Sequence, residues 1–199
     1  LNPHFVNNDV WVEENGGIKM PENKLFSFLL FDTPLTTNRV EATIGNMTLS
    51  GSRDDRNGIV FALKDVQSDA TVTEYWDTDF SYYWAFISGE NHLELVEMGA
   101  GENWKWFASI SLSDLGIDVV ANGITIAAEW DADGNIRVFA NGSLATAAKD
   151  ETPLTGDLYG TLVRRWGNGQ AGNTDYTDTV TSFIAGGALA TPDMNVTVT

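Results

Sequence analysis

The chain has 199 residues, no cysteine, two histidines, and 28 acidic against 11 basic side chains, for a net charge of −17. Without thiols there is no disulfide scaffold, thiolate zinc, iron–sulfur centre or cysteine nucleophile, and two imidazoles leave little for a histidine-rich metal site. So acidic a surface repels phosphate backbones and anionic bilayers, which argues against nucleic acid as a partner. No apolar run is long enough to span a membrane, so membrane insertion is not expected either. A chain of this size buries about 70% of its extended surface, enough for a core without covalent staples.

In chain order the pattern is strand after strand. Leu25–Phe31 is a short apolar run. Arg39–Ile44 alternates polar and apolar side chains, the period of a strand with one buried face. Gly58–Leu63 is again apolar throughout. Tyr82–Ile87 puts Tyr82, Trp84 and Phe86 on one side and Tyr83, Ala85 and Ile87 on the other, with no sign of which side meets the core. His92–Glu97 alternates in its first half, and Trp104–Leu112 places Trp104, Trp106, Ala108 and Ile110 on one face. Ile124–Trp130 runs through Asp-Ala-Asp-Gly into Asn135–Ala140 and then Asn141-Gly142. Asp-Gly and Asn-Gly favour the positive-φ turns of antiparallel strands, so two successive hairpins are predicted. Tyr159–Val163 and Asp178–Ile184 supply the last strands. The one helix candidate, Ser113–Ile117, is a single turn at most. No proline falls between Pro34 and Pro153, as paired sheet requires. Many short strands without helices predict an all-β, two-sheet antiparallel sandwich. It is expected to be one domain over residues 1–190, with 191–199 as an exit linker.

Three stretches, in order, carry a family likeness: Arg39–Ile44 followed by Gly58–Phe61, the hairpins of Ile124–Gly142, and the closing Asp175–Ile184. Together they resemble the concanavalin A-like lectin and glucanase superfamily, which includes laminin G-like modules. The resemblance implies a jelly roll of two curved sheets, often a structural calcium, and frequent carbohydrate binding. It implies no single activity, because this sandwich hosts lectins, hydrolases and protein-binding modules.

The candidate chemistry follows from side chains in polar loops. A sugar ring offers an apolar C–H face to a flat aromatic and a rim of hydroxyls to Asp, Asn and Arg. Trp76 with Asp77 and Asp79, and Arg164-Arg165-Trp166 with Asn168, have that composition. The competing readings are packing for the tryptophans and carboxylate pairing for the arginines. Asp54 and Asp55, or alternatively Asp77 and Asp79, are the candidate calcium ligands, against a reading as solvated loop charge for either pair. Glu129, Asp131 and Asp133 alternate like the carboxylates of retaining glucanases. Gly134, however, places Asp131 and Asp133 in a turn, where such side chains cap amides. The resulting expectation is a non-catalytic carbohydrate-binding module of a larger exported protein, at the cell surface or outside the cell, such as a bacterial adhesin or a multimodular polysaccharide-degrading enzyme. Its partner would be a glycan or polysaccharide. The alternatives are a glycoside hydrolase or lyase using Glu129, and a structural or protein-binding sandwich.

Overall fold

The predicted runs fold as strands of two antiparallel sheets. The computed structural model describes residues 3–6, 11–14, 16–19, 26–45, 47–64, 66, 78–99, 103–165 and 179–186. The first sheet has seven strands in the order β1 (Pro3–Val6), β4 (Phe26–Phe31), β13 (Leu158–Arg164), β6 (Arg56–Leu63), β7 (Tyr82–Ser88), β8 (His92–Gly99) and β9 (Asn103–Ser111). The second also has seven: β12 (Ser143–Lys149), β11 (Asn135–Ala140), β10 (Ile124–Trp130), β5 (Arg39–Gly45), β14 (Thr179–Ala185), β3 (Gly17–Lys19) and β2 (Val12–Glu14). A single helical turn, α1 (Val119–Asn122), starts where Asp118 accepts the Ala121 amide. It lies just after the stretch expected to hold one. The expected exit linker, 191–199, lies outside the described residues.

The two kinds of sequence run have different structural meanings. β5 alternates between half-buried and buried side chains, so only one of its faces is sealed. β4, β6, β7 and β13 are buried at every position, because the first sheet carries apolar side chains on both faces. Between the sheets lie Ile59, Phe61, Tyr83, Ala85, Ile87, Ile126, Ala128 and Trp130. On the outer face of the first sheet a second cluster gathers Phe28, Val60, Tyr82, Trp84, Phe86, Val96, Met98 and Leu162. Both sides of β7 are therefore core. Each fully buried large side chain of this kind stabilises by roughly 2–3 kcal/mol.

β9 does not present the single face that its sequence leads one to expect. Trp104, Trp106, Ala108 and Ile110 do not share a side, because the ladder between β8 and β9 shifts register after Leu95–Ala108 and resumes at Val96–Trp106. Phe107 is the extra residue of this bulge, and an extra residue reverses the side-chain alternation beyond it. Ala108 packs on the inter-sheet core, whereas Trp104 packs on the outer cluster.

At one end of the sandwich a buried carboxylate joins the sheets. Asp150, which follows β12, is wholly buried. It accepts from the Tyr83 hydroxyl at 2.6 Å, the Thr152 amide at 3.0 Å and the Lys105 ammonium. Its amide donates to the Gly134 carbonyl at 2.8 Å, and the Tyr83 hydroxyl also accepts the Leu154 amide at 3.0 Å. Gly134 has φ +82, and a Cβ there would stand 2.0 Å from the Asp150 carbonyl oxygen. The β10–β11 turn is thus built for glycine.

Candidate functional site

A short loop positions the site. Between β5 and β6, the Ser50 hydroxyl accepts the Ser52 amide at 3.1 Å and the Ser52 hydroxyl accepts the Asp54 amide at 3.2 Å. The loop is sewn to the β7–β8 turn by Gly51 N–H to the Gly89 carbonyl at 2.9 Å and Gly89 N–H to the Asp55 carbonyl at 2.7 Å. These bonds set Arg53 and Arg56 over the outer face of β8 and β9.

There the register reversed by the bulge aims two indoles outward. Trp104 and Trp106 stack with ring centroids 5.8 Å apart and planes 17° apart. Trp106 is 43% exposed. The Arg53 guanidinium lies 4.5 Å from the Trp106 ring. Arg56 is buried, 5.1 Å from both Phe86 and Trp104 and 5.7 Å from Trp84. Cations over indole faces at such distances are attracted by the ring quadrupole.

Beside the indoles stands Glu94, opposite Phe86 on one side and Ser109 on the other. Its side chain is 1% exposed. Arg53 Nε donates to Oε1 at 2.9 Å and Ser109 Oγ to the same oxygen at 3.2 Å. Oε2 is buried with no hydrogen-bond partner among the described residues. Burial pushes the Glu94 carboxyl above the ordinary glutamate range, and Arg53, Arg56 and Ser109 offset only part of that rise.

Two residues expected in separate sites meet here. Arg164 Nη1 donates to Asp54 Oδ1 at 2.7 Å and to the Asp54 carbonyl at 3.0 Å, and Arg56 Nη2 reaches the same Oδ1 at 3.2 Å. The Asp54 carboxylate, expected as a calcium ligand, is therefore held by two guanidinium groups. That pairing does not fit a calcium ion, which needs the same oxygens and is repelled by the same cations. Asp55 is buried beside it, and Arg165 is buried just past β13. No group of three carboxylate or imidazole side chains suited to a metal occurs among the described residues. Asp79 is exposed before β7 and makes no hydrogen bond or ion pair among the described residues. Trp76, Asp77, Trp166 and Asn168 lie outside the described residues.

Glu129 sits elsewhere, in a groove of about 860 Å³ lined by Asn38, Arg39, Trp130, Asn135 and Arg137. Arg39 Nη1 binds its Oε1 at 2.5 Å and Arg137 Nη2 its Oε2 at 2.6 Å. Both oxygens of a would-be nucleophile are thus occupied. Asp131 serves its turn: Oδ1 accepts the amides of Asp133 and Asn135, both at 3.0 Å. Hydrogen bonds from the Asn135 side chain and amide hold its carboxyl below the ordinary range.

No family model and no curated protein matches the sequence. Among solved structures, the carbohydrate binding module CBM66 from Bacillus subtilis matches with a TM-score of 0.52 and 15% identity, over 81% of this chain and 89% of that one. The catalytic domain of an endo-1,3-beta-glucanase (laminarinase) from Thermotoga petrophila RKU-1 matches with a TM-score of 0.50 and 9% identity, over 89% of this chain and 70% of that one. At such identities the likeness is one of architecture alone: a two-sheet antiparallel jelly-roll sandwich.

Proposed function

We propose that the chain is a non-catalytic carbohydrate-recognition module that binds glycan on the outer face of β8 and β9. The observation that carries this reading is the half-exposed Trp106, stacked on Trp104 and flanked by Arg53 and the buried Glu94. A flat apolar ring beside an ion-paired carboxylate is the composition that a sugar's C–H face and hydroxyl rim require. The non-catalytic half of the proposal is supported by Glu129, whose oxygens both serve arginines. The parent would be an exported protein acting outside the cell or at its surface, consistent with the lack of cysteine and the acidity. Several such modules in one protein would compensate for weak single-site binding through effective concentration.

The test is calorimetric titration with hits from a glycan array. Trp106→Ala weakens binding by roughly tenfold or more, about 1.4 kcal/mol. Trp106 is partly covered by Trp104 and Phe86, so the substitution costs about 1 kcal/mol and lowers the melting temperature by only a few degrees. A loss of several kcal/mol in stability would show that Trp106 belongs to the core and that the site is misplaced. The bound polysaccharides release no reducing sugar on incubation. Release that is abolished by Glu129→Gln with the fold intact would establish a hydrolase instead.

A further inference from the structure

Resting on that reading, the structure assigns the ligand a chemical class: an uncharged saccharide whose hydroxyl donates to Glu94 Oε2, with a neighbouring hydroxyl accepting from Arg53. The first observation is the distribution of unmet hydrogen-bonding capacity. Buried side-chain polar atoms in native proteins nearly all have partners, and each exception calls for an explanation. Among the buried side-chain atoms with no partner among the described residues, which also include Asn57 and Glu97 on the other side of the sheet, are Ser88 Oγ, His92 Nδ1 and Glu94 Oε2. These three share one face. Ile87 and Leu93, paired across β7 and β8, point into the inter-sheet core. Their chain neighbours Ser88, His92 and Glu94 therefore point outward, toward the side that carries Trp106.

The second observation is the asymmetry of Glu94. Both of its donors go to Oε1, leaving Oε2 as an acceptor with nothing to accept among the described residues. Arg53 is the complement. Its Nε serves Glu94, and its two Nη groups have no partner among the described residues, with its side chain 47% exposed. An acceptor and a surplus of donors from one ion pair suit adjacent hydroxyls, since a hydroxyl both donates and accepts. Arg53 links this pair to Trp106, since its guanidinium lies 4.5 Å from that ring while its Nε holds Glu94.

Mixed charge disfavours an ionic sugar. Arg53 and Arg56 would attract a uronate or sulfate, but its anionic group would also meet the Glu94 carboxylate that Arg53 already pairs. Like charges about 4 Å apart near a protein surface repel by roughly 4 kcal/mol. An amino sugar would bring its ammonium toward Arg53 and Arg56, whose guanidiniums stand 4.5 and 5.9 Å from the Trp106 ring. A neutral ring meets neither cost.

The experiment is isothermal titration of wild type, Glu94→Gln and Trp106→Ala with neutral gluco-, xylo-, manno- and fructo-hexasaccharides, oligogalacturonate and a glucosamine oligomer. A neutral hexasaccharide binds wild type, at least tenfold tighter than either charged oligomer. Glu94→Gln loses tenfold or more for that sugar while its melting temperature at pH 8 equals or exceeds wild type, because the ionised buried carboxylate is gone. A deoxy analogue lacking the donating hydroxyl binds wild type and Glu94→Gln alike. Undiminished binding by Glu94→Gln, or preference for a charged oligomer, overturns this inference and leaves the carbohydrate reading standing. No binding by any saccharide overturns the carbohydrate reading itself.

Discussion

Asp150→Ala lowers the stability of the chain by about 3 kcal/mol and its melting temperature by roughly 10 °C. The carboxylate is wholly buried and takes hydrogen bonds from three elements: Tyr83 on β7, Lys105 on β9 and the Thr152 amide of its own loop. Deleting it leaves the buried Tyr83 hydroxyl with only the Leu154 amide, for which it is the acceptor. Most of the loss comes from these stranded groups. Lys105 is 45% exposed and regains water, so its ion pair contributes little. Burial alone would raise the Asp150 carboxyl, but the bonds from Lys105, Tyr83 and Thr152 outweigh it and hold the group below the ordinary aspartate value of 3.8. A depressed acid is stabilising above its unfolded-state pKa, and that stabilisation is lost as pH falls through the folded value. The gap in melting temperature between wild type and Asp150→Ala is therefore full at pH 6 and shrinks below pH 4. Glu97, on the neighbouring strand, has the opposite sign: burial and then Asp150 raise its carboxyl. Glu97→Gln accordingly stabilises the chain above the ordinary glutamate value. A constant gap across the acid range would show that Asp150 acts through packing and not through its charge.

The fold was legible because strand periodicity is a local signal. β5 announces itself by alternation, and β4, β6 and β7 by unbroken apolar runs that mark burial on both faces. The short β2 and β3 escaped, since three residues are too few to establish a period. β12 follows the predicted Asn-Gly turn, although Ser-Leu-Ala-Thr-Ala-Ala-Lys has little β propensity of its own. The site was harder to read because it depends on register. Trp104 and Trp106 were visible as a pair, but the bulge at Phe107 decides their direction, and bulges leave no mark in composition. One signal was present: Lys105 between two tryptophans puts a charge on the face opposite them, so that face is not sealed core. Arg164 and Asp54 were each singled out, but for different roles. Only the pairing of β13 with β6 brings residues 110 positions apart into one cluster.

Arg56→Ala costs about 3 kcal/mol, and Arg56→Met about 1 kcal/mol, by the cavity and packing rules for buried side chains. The guanidinium fills the space between Phe86, Trp84, Trp104 and Trp106, all within 6 Å of it. Methionine keeps most of that volume and removes the charge, so the two variants separate packing from electrostatics. Asp54 is not stranded in either, because Arg164 still holds it and its side chain is 46% exposed. The charge matters instead at Glu94, whose carboxyl burial raises and Arg56 helps to pull back. With the cation gone, Glu94 protonates at a higher pH. A protonated carboxyl is a weaker acceptor for a ligand hydroxyl, so the acid limb of glycan binding moves upward in Arg56→Met, a variant that loses only about 1 kcal/mol of stability. Titrations between pH 5 and 8, paired with melting curves, measure both effects. A binding profile superimposable on wild type would mean that Arg56 is only a spacer for the aromatic rings and that the ionisation of Glu94 does not govern recognition.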